Sequence, residues 1–374
     1  MFDRTVNHFK IKYTDLGKYF GIGTFNRKYV NVFINLECVL KQMSKRYFLE
    51  LGENFSSAQK VQTVYEVISQ LFNLAGHYRS YFRSNKIFSN IFFYYGDFDK
   101  RNYNNTIHLE DYRKSYKSRY DFDRAKSEPI ISIIRVALEM FSKFIQYTDS
   151  MFIVKSDKVE PSVIPYLIMN MKGFDKGVNF IVTEDEYDFQ YVIHNGIILY
   201  PKGESEKVFT KINMISYIVS KYSIEKIWED DINYRLIPLL YTFAGFKDRD
   251  IPKLPRYGMK KIYKQMEKLY KNDLVDDDNP DTFLIESIGE FIKDDMFLLG
   301  DSPRTMIGNN YFSIDIQRQA DVCNEYDINT IKEQLVENYD IKALKILNDT
   351  SFDHYDCPII IDSLAQYISN NFLE

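Results

Sequence analysis

The sequence predicts an α/β protein, a parallel β-sheet flanked by helices and followed by a helical lobe. Three observations carry that expectation. Short apolar runs rich in β-branched and aromatic residues alternate with helix-period segments in the front half; strands thin out from about Glu204 onward; no repeat or low-complexity linker intervenes.

In chain order, Val30 to Leu36, Ile91 to Tyr95, Met151 to Val154, Asn179 to Thr183 and Ile197 to Tyr200 read as buried parallel strands. Helical patterns lie between them at Ala58 to Phe82, Glu128 to Gln146 and Pro161 to Lys172. Further helices are expected at Val208 to Lys221, Asp231 to Phe243, Tyr257 to Tyr270, Asp281 to Lys293 and Thr330 to Asn348, interrupted by the acidic turn Asp276 to Asp281. Two packed lobes follow, residues 1–203 and 204–374, with no flexible tether.

With 374 residues, 45% of them hydrophobic, the chain can bury one large core, or one core and a satellite helical domain. Cys38, Cys323 and Cys357 stand singly, without the spacing of a zinc knuckle or disulfide framework, so a reducing compartment is expected. No apolar run reaches the length of a membrane span, and no signal-peptide pattern opens the sequence. The expectation is a cytoplasmic protein without a membrane partner. Heavy use of Tyr, Phe, Asn, Ile and Lys suggests an AT-rich genome, such as a virus, a phage or many bacteria have, and a viral source would place the protein in host cytoplasm.

A net charge of −5 argues against a uniformly basic nucleic-acid binder, but the charge is unevenly spread. Lys253, Arg256, Lys260, Lys261, Lys264, Lys268 and Lys271 face only one acidic neighbour in that stretch, Glu267. A second cluster holds Arg113, Lys114, Lys117 and Arg119 among Tyr112, Tyr116 and Tyr120. Each cluster reads either as a solvated helix face or as a phosphate contact.

Ligands of parallel sheets gather at the carboxyl ends of the strands. Here the first strand ends Phe33-Ile34-Asn35-Leu36-Glu37, the second Tyr94-Tyr95-Gly96-Asp97, and the fourth Thr183-Glu184-Asp185-Glu186-Tyr187-Asp188. Glu160 opens a helix after the third. The acidic run at the fourth end is either a solvated loop or part of a metal site. The histidines are too dispersed to suggest a metal or nucleophile site, Trp228 reads as an anchor between lobes, and the stretch from Phe283 onward holds no interpretable motif.

These segments, in this order, resemble the structure-specific 5′ nucleases: flap endonucleases, the 5′ nuclease domain of bacterial DNA polymerase I, and the phage ribonuclease H of the same fold. Phe33-Ile34-Asn35-Leu36 is similar to the family's Phe-Ile-Asp-hydrophobic strand, and Phe92-Phe93-Tyr94-Tyr95-Gly96 to its Tyr-Val-Phe-Asp-Gly strand. Tyr116-Lys117-Ser118-Arg119 resembles a Tyr-Lys-x-x-Arg helix, one residue short. Val159-Glu160-Pro161-Ser162-Val163 resembles Val-Glu-Ala-Asp-Asp, and Thr183 to Asp188 resembles Thr-Glu-Asp-x-Asp with one residue inserted. The most specific match is Gly245 to Lys260, which keeps Gly245, Ile251, Pro252, Pro255, Gly258 and Lys260 in register with the family's Gly- and Pro-punctuated turn. The resemblance spans about Val30 to Lys268. It implies a PIN-like sheet and a C-terminal lobe containing a helix-three-turn-helix at about 237–270.

Laid on the family's metal-binding carboxylates, the chain offers Asn35, Tyr95, Ser162, Val163 and Arg249, leaving Glu160, Asp185 (or Glu186) and Asp188. Glu37 and Asp97 are potential stand-ins if they continue their strands on the same face. On that count no catalytic residue and no metal cofactor are expected, and Arg249 is expected to pair with Asp188 or Glu160 where an ion would sit. The resemblance also implies DNA as partner, held by Lys117, Arg119, Lys253, Arg256, Gly258, Lys260 and Lys261. It implies a potassium ion in the turn. Lys253 and Arg256 replace two family glycines, which shifts the contact toward salt-sensitive side-chain charge.

Three readings follow. The first is a catalytically silent 5′-nuclease homologue that binds DNA or docks to a replication, recombination or transcription assembly. The second is a working magnesium- or manganese-dependent 5′ nuclease that uses Glu160, Asp185 and Asp188. The third is a protein-binding scaffold, with its partner on the C-terminal region. The missing carboxylates favour the first.

Overall fold

The computed structural model describes residues 29–40, 43, 56–84, 87–96, 124–145, 150–175, 177–200, 207–211, 213–221, 237–246, 251–253, 258, 261 and 302–336. Among them, β1 (Tyr29–Asn35), β2 (Phe88–Gly96), β3 (Met151–Ser156), β4 (Val178–Val182), β5 (Gly196–Tyr200) and β6 (Lys207–Phe209) form one six-stranded sheet ordered β3-β2-β1-β4-β5-β6. Helix α1 (Ser57–Ser84) connects β1 to β2, and α2 (Arg124–Ile145) lies between β2 and β3. All pairs are parallel except β5 with β6. The five strands expected from the sequence are present, each within a few residues of its expected ends.

Two expectations change. The segment beginning at Val208, read as helix, opens as strand β6, and its helix α4 (Met214–Lys221) starts six residues later. A three-residue edge strand is too short to establish an alternation of its own, so its apolar residues merge with the following helical period. The segment from Pro161 is divided into a 3-10 turn, η1 (Pro161–Val163), and α3 (Ile164–Met169), both starting with proline in the first positions, where a missing N–H costs least.

Strand order places the switch in chain direction between β1 and β4: the chain steps outward from β1 through β2 to β3, then returns to β4 on the other side of β1. Both faces are buried. On one, Phe33, Phe92 and Phe152 stack across three strands with centroids 4.8 and 4.9 Å apart. On the other, α1 and α2 cover Phe93, with Phe72 and Phe93 edge-on to Phe141.

Two residues before the phenylalanine row, on the same face, lies a row of asparagines. Asn90 donates to Asn31 at 3.0 Å, and the Asn31 amide donates to Asn179 and to the Phe174 carbonyl, both at 2.9 Å. Asparagine is a poor strand former, but here these amides satisfy one another across the ladder. A slip of one residue would break the row and turn every core side chain to the opposite face, so the row holds the register of β2, β1 and β4.

The later helices complete the first core. These are α5 (Ile237–Ala244), α6 (Ser302–Ile314), α7 (Ile316–Asp321) and α8 (Glu325–Val336), which contribute Tyr241, Ile307, Ile314, Ile316 and Ile331 to the cluster holding Phe33 and Phe92. Helix α8 also closes the sheet edge: the Gln334 carboxamide accepts from Lys155 N at 2.8 Å and donates to Lys155 O at 2.9 Å, imitating a neighbouring strand. No helix among the described residues is long and apolar enough to cross a membrane.

Candidate functional site

The carboxyl ends of β1 and β4 meet at the switch in strand order, where open α/β sheets place their ligands. Strand β1 ends at Asn35 and the chain turns into a short helix over 36–40. Asn35 caps that helix: its Oδ1 accepts from Glu37 N at 3.0 Å and Cys38 N at 3.4 Å. This fixes the amide orientation and points Nδ2 toward the next strand. After β4, Asp185 caps a 3-10 segment, η2 (Glu186–Val192), by accepting from Tyr187 N at 3.1 Å, and η2 carries Asp188.

Asp188 is fully buried. Its Oδ2 accepts from Thr183 Oγ1 at 2.6 Å and from Asn35 Nδ2 at a long 3.4 Å. Thr183 Oγ1 also accepts from Asp185 N at 3.0 Å and lies 3.8 Å from Cys38 Sγ. Threonine has one hydroxyl proton, and the short contact to Asp188 uses it, so the Cys38 thiol is the donor in the sulfur contact. Burial, followed by the charges of Asp185 and Asp188, pushes that thiol up to about 12, which keeps it protonated at neutral pH.

Register settles what stands beside Asn35. Its partner on β2 is Tyr94, fully buried on the same face, while Tyr95 packs in the opposite core. The Tyr94 hydroxyl makes no hydrogen bond to any described residue. Burial, then the charge of Asp188, holds it well above the ordinary phenol range.

Past β3, Glu160 precedes η1, whose Pro161, Ser162 and Val163 are all buried. Val163 belongs to the apolar core, and the Ser162 carbonyl accepts from the Tyr191 hydroxyl, which in turn accepts from Tyr166 N at 3.1 Å. Positions where the resemblance expects acids thus hold a packed turn. Glu186 pairs with Lys221 at the surface. Glu37 lies in the helix after β1 and does not extend the strand; Asp97 lies outside the described residues.

A magnesium pair requires several anionic oxygens converging with near-octahedral geometry. The strand ends at the switch present an amide aimed at a carboxylate, with the buried Tyr94 phenol of β2 beside it. Among the described residues, no three His, Cys, Asp or Glu side chains form a group able to hold a metal ion. Among the described residues, this donor set lacks the convergent acids of a two-metal centre. Carboxylates facing one another need a cation or a shared proton between them, whereas an amide facing a carboxylate can donate to it directly.

Asn35→Asp therefore should restore the need for an ion. With chelator present, this variant is expected to lose about 2 kcal/mol, because a donor to the buried Asp188 becomes a second acceptor. Manganese should return part of the loss in a thermal melt. A variant that melts with the parent in chelator would show that the Asn35 amide contributes nothing to the pocket.

The nucleic-acid residues are only partly within the described structure. Lys117, Arg119, Arg249, Arg256 and Lys260 lie outside the described residues, as do Trp228, the helix expected at Asp281 to Lys293 and most of the one expected at Tyr257 to Tyr270. Lys253, Gly258 and Lys261 are described and exposed. Before them, Gly245 sits at φ +69° and the chain reverses, with Phe246 and Ile251 exchanging backbone hydrogen bonds of 2.9 and 3.1 Å. A β-carbon on Gly245 would stand 2.4 Å from Lys253 N and 2.6 Å from Ile251 O, so the turn depends on glycine there. At Gly258 the described residues leave open space and φ is not left-handed, so nothing within them requires glycine.

Three placements were not legible in the sequence. Thr183, Cys38 and Tyr94 complete the pocket around Asp188; Thr183 and Tyr94 lie within matched segments but not at their carboxylate positions, and no motif marks Cys38.

The architecture is shared with solved phage structures. The fold matches the crystal structure of the bacteriophage T5 D15 protein co-crystallised with metal ions, at TM-score 0.51 and 11% identity, over 83% of this chain and 100% of that one. T5 5′-exonuclease with bound zinc matches at TM-score 0.49 and 12% identity, over 82% and 99%. The T5 D15 flap endonuclease in a complex with DNA and metal ions matches at TM-score 0.47 and 11% identity, over 82% and 99%. No protein-family model and no curated protein sequence matches the chain.

Proposed function

We propose that this chain is a catalytically silent homologue of a 5′ flap nuclease, which binds duplex or branched DNA through the turn beginning at Gly245, possesses no metal-dependent hydrolysis, and serves a DNA replication, recombination or transcription assembly. The observation that supports it best is at the switch between β1 and β4. There Thr183 and Asn35 supply the buried Asp188 with hydrogen-bond donors, in the place where a nuclease of this fold would need a cation between acids.

DNA contact uses different groups from cleavage, so it survives the change. Lys253 and Lys261 are exposed on the chain that follows the Phe246–Ile251 bridge, and the surrounding sequence is strongly basic. Gly258, which carries no side chain, would let a phosphate approach the backbone. The side-chain cations make the contact salt-sensitive. If three phosphates are neutralised, affinity for a fluorescent 5′-flap duplex should fall about twentyfold between 50 and 150 mM salt. An anisotropy titration checks this. Absence of binding at both salt concentrations would overturn the proposal and favour a protein-binding scaffold.

A further inference from the structure

Helix α6 links the turn to the pocket. Its Asn310, almost fully buried, donates through Nδ2 to Thr242 O at 3.0 Å, near the end of α5, and to Pro252 O at 2.7 Å, on the far side of the turn. One amide thereby clamps both limbs of the reversal around Gly245. Phe246, inside that reversal, packs edge-on to Tyr187 with centroids 6.0 Å apart, and Tyr187 lies between Asp185 and Asp188.

The end of α6 holds the same η2 segment. Tyr187 Oη donates to Ser313 O at 3.0 Å, and the Gln190 amide donates to Ile314 O at 2.8 Å while accepting from Ile316 N at 3.0 Å. Gln319, on α7, completes the junction by donating to Ser313 O at 2.8 Å and to the Tyr187 hydroxyl. A single helix therefore grips the turn near its middle and the pocket loop at its end.

We propose that Asn310 is a positioning residue for the nucleic-acid contact: it sets the backbone limbs of the Gly245 turn and, through α6, fixes that turn relative to the η2 loop. This rests on the reading that the turn touches phosphate. Asn310 itself is buried and touches no nucleic acid. Its amide is the only donor that the described hydrogen bonds supply to the two carbonyls together, so its removal loosens the turn without altering surface charge.

The test measures affinity for the 5′-flap duplex and the slope of log affinity against log salt, with circular dichroism confirming the folded fraction at the working temperature. Asn310→Ala should weaken binding about tenfold and reduce the slope by about one, as one phosphate contact is lost. Asn310→Ser, which retains one donor, provides a milder second variant and should lie between. Asn31→Ala, which damages the asparagine row at the opposite end of the strands, serves as the control: it should melt early yet keep the parent's affinity and slope. Parent-like affinity and slope in both Asn310 variants, or the same changes in Asn31→Ala, would overturn the inference alone. A parent that does not bind at either salt concentration would overturn the proposed function together with it.

Discussion

Asp188→Ala should destabilise the metal-free protein by about 3 kcal/mol, in line with stranding buried donors that have lost their acceptor. The sign matters more than the size. In a site built for metals, carboxylates repel one another when the ion is absent, so removing one relieves strain and stabilises the apo protein. Here Asp188 accepts from Thr183 and Asn35, and its truncation leaves a hydroxyl and an amide in a closed pocket beside Cys38 and Tyr94. Chemical denaturation in chelator reads the difference directly. A variant more stable than the parent would mean that Asp188 is held against its electrostatic preference, as a ligand awaiting a cation would be.

Gly245→Ala is the second large effect expected. A left-handed backbone costs an alanine about 1 kcal/mol, and the added carbon would overlap three backbone atoms, Lys253 N, Ile251 O and Pro252 C. None can swing aside as a flexible side chain would. The Phe246–Ile251 pair would separate and the Asn310 clamp would lose Pro252, for a total loss of about 3 kcal/mol or more. DNA affinity should fall more than tenfold in the same variant. Unchanged melting and unchanged affinity would show that the turn relaxes at no cost and that its shape does not matter.

Much of the fold was legible because buried parallel strands are written as apolar runs. Val30 to Leu36 and Ile91 to Tyr95 needed no long-range information. The same property hid the phase of β2. In Ile91-Phe92-Phe93-Tyr94-Tyr95 every residue is buried, so no alternation tells which tyrosine shares a face with Asn35; only pairing with β1 identifies Tyr94. Strand β6 was missed because its three residues lie at an edge.

The segments that form the site were legible, but not their arrangement. Reading Asn35 as a missing carboxylate needed only the resemblance, but its role as a cap for the following helix and a donor to Asp188 depends on where η2 folds back. The contributions of Asn310, Gln190 and Gln319 were invisible for a similar reason. A buried carboxamide leaves no periodic trace, and its partners lie many residues away in the chain.

As proposed, the pocket between β1 and β4 holds its carboxylate with hydrogen-bond donors and does not support hydrolysis. Incubating the purified protein with an end-labelled 5′-flap duplex and manganese tests it most directly. The duplex is expected to be bound and to remain intact. Product that appears with manganese and disappears in Asp188→Ala would contradict it.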